Sequence, residues 1–327
     1  MAHPHFLLNT RILTIGGFSG LAFGVASAAL SSGSKSHITL LDTDGLPLDF
    51  PFNTGNDIQD KYHDSDLHLH SPLSMAHPNF LLNTRTLIIG GSSGIGFAVA
   101  SAALSSGSKA HITSVTAEKL STKITQLQAL YPAAHVSGST ADLADTDTLE
   151  ANLQSVLDAA VKDTGGPLDH IVYTAHEGMS NAAKSNAKLV EITATKALST
   201  FTARLLGPLL IGKLVAANPG RYLKPAASSS PHTHLGNLRP PPTSGSLHLW
   251  RVAPELAPIR VNVIIPGAVR TELLDEISGG NPDMFTKGTL TKEVGSAEGA
   301  AEAYLFSMRS ALATGQGFII DNGTMMA

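Results

Sequence analysis

A glycine turn between an apolar run and a small-residue helix constrains this chain more than any other feature, and the chain carries it twice. "IIGGSSGIGFAVASAALSSGSKAHIT" spans residues 88–113 and "TIGGFSGLAFGVASAALSSGSKSHIT" spans residues 14–39. An apolar strand entering such a turn and passing at once into a helix is the start of a βαβ unit. The later copy has Gly90, Gly94 and Gly96; the earlier has Ala22 where Gly96 should be. Glycines at these places let backbone N–H groups and the positive end of the helix surround a pyrophosphate, and the last one lets helix and strand pack closely. Dinucleotide binding is therefore expected of the later copy.

The two copies align at an offset of 74 residues, Met1 on Met75, and the match ends near Thr39 and Thr113. Only the opening unit is duplicated, which excludes a stacked repeat array. Residues 41–74, rich in Asp, Gly, Pro, Asn and His, have no sustained apolar period and read as linker. Within them His63, His68 and His70 with Asp64 and Asp66 could hold a metal, but a solvated loop accounts for them more simply, and no metal site is expected. The expected division is a prefix over 1–74, mostly unstructured or loosely attached, and a domain over 75–327. Alone, "ILTIGGFSGLAFGVASAAL" could pass for a secretory leader, but nearly the same segment recurs deep in the chain, and glycines and serines interrupt it too often for a membrane helix.

The 327 residues contain no cysteine, which excludes disulfides, thiolate chemistry and zinc–sulfur sites and fits a cytoplasmic protein. A net charge of −4 without a long basic run argues against nucleic acid and anionic membrane as partners. From Arg85 onward strands alternate with helices. "TLIIGG", "KAHITSV", "AAHVSGSTADL", "LDHIVYTA", "IRVNVIIPG" and "GQGFIIDNG" read as strands. Between them lie helices over "IGFAVASAAL", "AEKLSTKITQLQALYP", "TDTLEANLQSVLDAAVKDTGG" and the long stretch 187–218. Strands spaced by helices of ten or more residues imply an α/β fold, a doubly wound parallel sheet covered on both faces in a single main domain.

The run Gly90-Gly91-Ser92-Ser93-Gly94-Ile95-Gly96 resembles the nucleotide loop of the short-chain dehydrogenases/reductases, with Ile89 where that family usually has Thr. The resemblance covers about Phe80 to Gly323. It implies a Rossmann-like fold and a cofactor held by Gly90, Ser92, Ser93, Gly94, Ile95 and Gly96. Asp142 matches the family's adenine-contacting aspartate, and Val269 and Thr271, after Pro266-Gly267, match its nicotinamide side. The wording of "LAPIRVNVIIPGAV" looks most like reductases of fungal secondary metabolism.

Departures from the family pattern are equally informative. The Asn-Asn-Ala-Gly after strand four reads Tyr173-Thr174-Ala175-His176, and the helix-five Asn falls at about Arg204. The family's Tyr-x3-Lys pair, a general acid with the lysine that lowers its pKa, has no counterpart: Tyr62, Tyr131, Tyr173, Tyr222 and Tyr304 are followed four residues on by Asp66, His135, Glu177, Ala226 and Met308. Its expected place is "NLRPPPTSG", whose prolines cannot continue a helix, and Pro254 interrupts what remains of helix six. Strand five is equally poor: "SSSPHTHLGN" has Pro231, His232 and His234 where an apolar run should lie, and Ser228, Ser229 and Ser230 read as loop.

At the end of strand two stand Ser114, Val115 and Thr116, with no acid before Glu118 and Lys119 nearby. An acid there would repel the 2′-phosphate of NADP, so NADP is favoured over NAD. The expectation is an NADP-dependent reductase or dehydrogenase acting on a carbonyl or alcohol of a small metabolite. The alternative is a dinucleotide-binding pseudoenzyme. The family resemblance also implies that loss of helix six would weaken any homo-oligomer.

Overall fold

The computed structural model describes residues 79–175, 202–224 and 252–327, together with short strands at 11–13, 35–37, 40–41, 47–48 and 234–236. Its contacts divide the chain into two compact units, Met1–His3 with Phe80–Ala327, and Pro4–Asn79.

The larger unit is built on seven parallel strands: β1 (Arg85–Ile89), β2 (Lys109–Ser114), β3 (Val136–Thr140), β4 (His170–Tyr173), β5 (His234–Gly236), β6 (Arg260–Pro266) and β7 (Gly317–Ile320). Their order across the sheet is β7-β6-β5-β4-β1-β2-β3. The chain thus winds outward from β1 in one direction, returns to β4 and winds outward in the other. The doubly wound parallel sheet expected from the alternating pattern is present. Side chains leave alternate faces of each strand, so one strand feeds two cores. Leu87 and Ile89 of β1 with Ile171 and Tyr173 of β4 pack against α3 (Leu149–Thr164) and α4 (Gly207–Ala217). Ile88 and Val172 face the opposite core with Ile112 and Ile264.

On that second face lies α1 (Gly94–Ser105), followed in the chain by α2 (Ala117–Leu130). Helix α1 is buried from Ala98 to Leu104 because it lies between the sheet and α6 (Ala297–Arg309), which explains its run of small residues. By contrast α2 buries only Leu120 and Leu127, starts where the Thr116 side chain accepts from Lys119 N, and stops before Pro132. Leu149, Leu153, Val156 and Leu157 form the inner stripe of α3, which ends at Gly165 with φ +86°. Each such leucine, taken fully out of water, contributes about 1.5–3 kcal/mol.

Two expectations are corrected. Strand five does form: His234–Gly236 pairs with β4 and β6, its backbone filling the gap between them without an apolar run. Pro254 does not interrupt its segment, since residues 252–256 are helical and Val252 faces Gly212 of α4. Within residues 1–74 the described residues form short strands. Arg11–Leu13 pairs in parallel with Lys35–His37, and Leu40–Leu41 pairs antiparallel with Pro47–Leu48. The first pairing follows from sequence, since these residues are the copies of 85–87 and 109–111. The long helical stretch expected over 187–218 is described only from Thr202, where a five-residue π turn (Thr202–Leu206) leads into α4. The metal-ligand candidates of the linker and the proline run 240–242 lie outside the described residues.

Candidate functional site

The site lies where the winding reverses, at the C-terminal ends of β1 and β4. Strands on either side of such a point lead away from each other and leave a crevice above the sheet, the place where open α/β sheets take ligands. The turn 90–93 enters it from β1, and Thr174 and Ala175 from β4.

Glycine is required at several points of this turn for distinct reasons. Gly90 has φ +86°, and a Cβ there would lie 2.6 Å from Ala175 N. Its own N–H donates to Thr113 Oγ1 on β2 at 2.9 Å. A Cβ on Gly96 would run into the Gly90 carbonyl oxygen and Thr174 Oγ1. Thr174 is fixed in that position because its N–H and its hydroxyl both donate to the Ile89 carbonyl, at 2.8 and 3.0 Å. Helix and strand can therefore approach this closely only while residue 96 lacks a side chain.

The turn ends at the N-terminus of α1. Ser93 occupies the cap position with extended backbone and makes no side-chain cap hydrogen bond. The first intrahelical bond at this end is Phe97 N to the Ser93 carbonyl, so the N–H groups of the first turn have no helical acceptor. They and the helix dipole present a positive site to an anion. Ser92 is buried and Ile95 packs partly on the core, so these two would contribute backbone rather than side chain. Backbone donors and a helix dipole of this kind suit an anion such as a pyrophosphate.

Of the other residues singled out from sequence, Thr271 is brought to the turn and Asp142 is not. A Cβ on Gly94, where φ is +51°, would stand 3.0 Å from Thr271 Cγ2. The Thr271 hydroxyl accepts from Leu274 N at 3.3 Å, capping α5 (Glu272–Ile277). Val269 is buried beneath it and pairs with Gly295 in a short parallel bridge. Asp142 follows β3 at the far edge of the sheet, exposed, with Oδ1 accepting from Ala144 N at 2.9 Å. Between them, at the end of β2, Val115 is exposed and Lys119 lies in the exposed first turn of α2. Thr113 and Thr174 were not found from sequence: their roles come from cross-strand partners that no local pattern shows.

Among the described tyrosines none is poised as a proton donor at the crevice. Tyr173 is buried in the core beneath α4, with Gly207 against its ring. Tyr304 lies wholly inside the opposite core, and burial pushes its phenol well above the ordinary range. Tyr222 is buried in the core with α3 and α4, and the Tyr131 hydroxyl pairs with Ser101 Oγ at 2.8 Å. Arg204 lies in the π turn. Tyr62, His176, His232 and Ser228 to Ser230 lie outside the described residues, whereas His234 falls in β5.

Residues 77–327 match the model of the SDR-like Rossmann domain. Similar proteins include the short-chain dehydrogenase/reductase ucsE of an Acremonium species, 33% identical over 260 residues, which cover 74% of this chain and 95% of that protein. The short-chain dehydrogenase/reductase ATR9 of Stachybotrys chlorohalonatus is 34% identical over 244 residues, covering 70% and 92%. Among solved structures, the MalC reductase/Diels-Alderase of Malbranchea aurantiaca superimposes with a TM-score of 0.66 at 29% identity, covering 76% of this chain and 99% of MalC. A short-chain dehydrogenase from Burkholderia cenocepacia in complex with NADP shares the fold, with a TM-score of 0.60 at 22% identity over 75% of this chain and 99% of that one. No helix among the described residues is long and apolar enough to cross a membrane.

Proposed function

Because the chain belongs to the short-chain dehydrogenase/reductase family, we propose that residues 75–327 bind NADP and act on a carbonyl or alcohol of a small secondary metabolite. The observation that carries this reading is the glycine turn at the reversal point, where Gly96 fits against Gly90 and Thr174 and the N-terminus of α1 is left open. A bound nicotinamide would supply or accept hydride. The turn Gly90–Gly96 holds the pyrophosphate by backbone N–H groups, and Asp142 serves the adenine end. Val269 and Thr271 border the nicotinamide side, with Thr271 keeping α5 capped. Lys119 and the absence of an acid over Ser114–Ala117 favour the 2′-phosphate. The resemblance of this chain to fungal short-chain dehydrogenases/reductases supports the substrate class.

A second reading, binding without turnover, is favoured by the tyrosines. None is followed by lysine at the fourth residue, and each of the four described is buried in a core or paired away from the crevice. Hydride transfer to a carbonyl leaves an alkoxide that must take a proton, and a positioned acid contributes on the order of 10²–10⁴ in rate. Titrating the protein with NADPH and with NADH tests the binding half; saturable binding with NADPH the tighter ligand is expected. Following NADPH consumption across a panel of ketones and quinones tests the turnover half.

A further inference from the structure

Residues 1–39 and 75–113 differ at eight of 39 positions. Where these differences fall carries information. The strand Arg11–Leu13 pairs with Lys35–His37 in the register Arg11↔Lys35 and Leu13↔His37. After the offset of 74 this is the register of β1 on β2, Arg85↔Lys109 and Leu87↔His111. The first copy therefore makes the central pairing of the fold by itself, in a sheet of two strands.

One difference, His5 for Asn79, falls at an exposed position. The other seven fall where the second copy is buried or half-buried. Ile12 and Thr14 correspond to Thr86 and Ile88, both fully buried. Phe18 corresponds to Ser92, 6% exposed, where there is no room for a ring. Ser36 would bring a hydroxyl to the place of Ala110, inside a core of Ile112 and Leu104. Leu21 and Gly24 replace half-buried Ile95 and buried Ala98. Ala22 carries the Cβ that, at Gly96, meets the Gly90 carbonyl and Thr174 Oγ1.

Topology alone would allow the copies to exchange. If the first took the place of β1, α1 and β2, the chain from its end to α2 would loop out from the C-terminal end of β2. The cost of closing a loop grows only with the logarithm of its length, so the added residues are a weak barrier. Packing is the strong one, since a filled core resists both added volume and a buried hydroxyl without a partner. We propose that the first copy is a spare version of the segment that forms β1, α1 and β2, kept out of the seven-stranded sheet by its seven differences at core-facing positions, so that the second copy alone builds the crevice. Only the cofactor readout below rests on the proposed NADP binding.

Hydrogen exchange followed by mass spectrometry tests this on the full chain, read from peptides that span residue 5 or 79, 22 or 96, or 40 or 114, where the two copies differ in every chain described below. In the parent chain, amides of 85–89 and 109–114 should exchange at least about tenfold more slowly than those of 11–13 and 35–37. A second chain carries Ile12→Thr, Thr14→Ile, Phe18→Ser, Leu21→Ile, Ala22→Gly, Gly24→Ala and Ser36→Ala together with Gly96→Asp. There the slow exchange should move to the first copy. A third chain with Gly96→Asp alone should show no such move. Protection that stays on residues 85–114 of the second chain, protection lost from both copies, or a move in the third chain would each overturn the proposal. NADPH titration of the second chain separates the two readings: a move of protection without binding supports the spare unit and counts against the cofactor assignment.

Discussion

Thr174 Oγ1 stands where a side chain on Gly96 would have to go. The two residues come from different ends of the reversal point, one opening α1 and the other leaving β4, and each fixes the other. Thr174 is tied twice to the Ile89 carbonyl, so it cannot swing away without giving up a hydrogen bond at the centre of the sheet. Replacing Gly96 with Ala should therefore destabilise the domain by about 1–3 kcal/mol and weaken NADPH binding at least about tenfold. Gly96→Asp should abolish binding, since it adds a carboxylate beside the pyrophosphate. Urea denaturation and fluorescence titration of the two variants check this, and unchanged binding would remove the turn from the site.

The preference between cofactors can be tested at the start of α2. NADPH should bind more tightly than NADH. Lys119→Glu, a change on an exposed side chain, should weaken NADPH about three- to tenfold and leave NADH nearly unchanged, as expected for a partly screened charge. Equal losses for both cofactors would show that Lys119 does not act on the 2′-phosphate.

Removal of residues 1–74 should leave NADPH affinity and melting temperature nearly unchanged. One βαβ unit is too small to bury its own apolar faces and contributes little by itself. A melting temperature lowered by more than about 8 °C would mean that the prefix stabilises the domain.

His111 on β2 gives the protein an acid-sensitive core. Its ring is fully buried, with Nδ1 2.9 Å from Ser137 Oγ and Nε2 3.0 Å from Ser139 Oγ. Burial lowers its pKa to about 4, against the opposing pull of Asp163 and with a smaller push from His135. The unfolded chain binds a proton at this histidine below its ordinary pKa near 6.5, while the folded protein does not until about pH 4. Stability should thus fall as pH drops through that window, by on the order of 3 kcal/mol, with no contribution from this group above it. Denaturation at pH 7 and pH 5 should show a smaller difference in His111→Gln than in the parent. An identical slope in both would place the acid sensitivity elsewhere.

The central fold was legible because its signals are local. "TLIIGG" shows an apolar strand and its turn, Gly165 ends α3 through a left-handed φ, and the inward stripe of α3 recurs at helical spacing. Strand β5 was missed because three residues held between β4 and β6 need only backbone hydrogen bonds, which composition does not record. The site was legible to the same degree. Gly90, Gly94 and Gly96 are marked by sequence, but Thr174 matters through the Ile89 carbonyl, 85 residues away. The buried tyrosines could be recognised as lacking a following lysine, not as core residues. Tyr173 packs under α4 only because Gly207 leaves room for its ring.

The most direct test of the account separates binding from turnover in the chain as it stands. NADPH is titrated by fluorescence, and its consumption is then followed with a carbonyl panel beside a relative that has the Tyr-x3-Lys pair. The prediction is saturable NADPH binding together with reduction at least ~10²-fold slower than the relative, the rate a missing general acid removes. Turnover equal to that of the relative would contradict it and would show that another group, with His176 and His232 the first to substitute and buried Tyr173 next, delivers the proton.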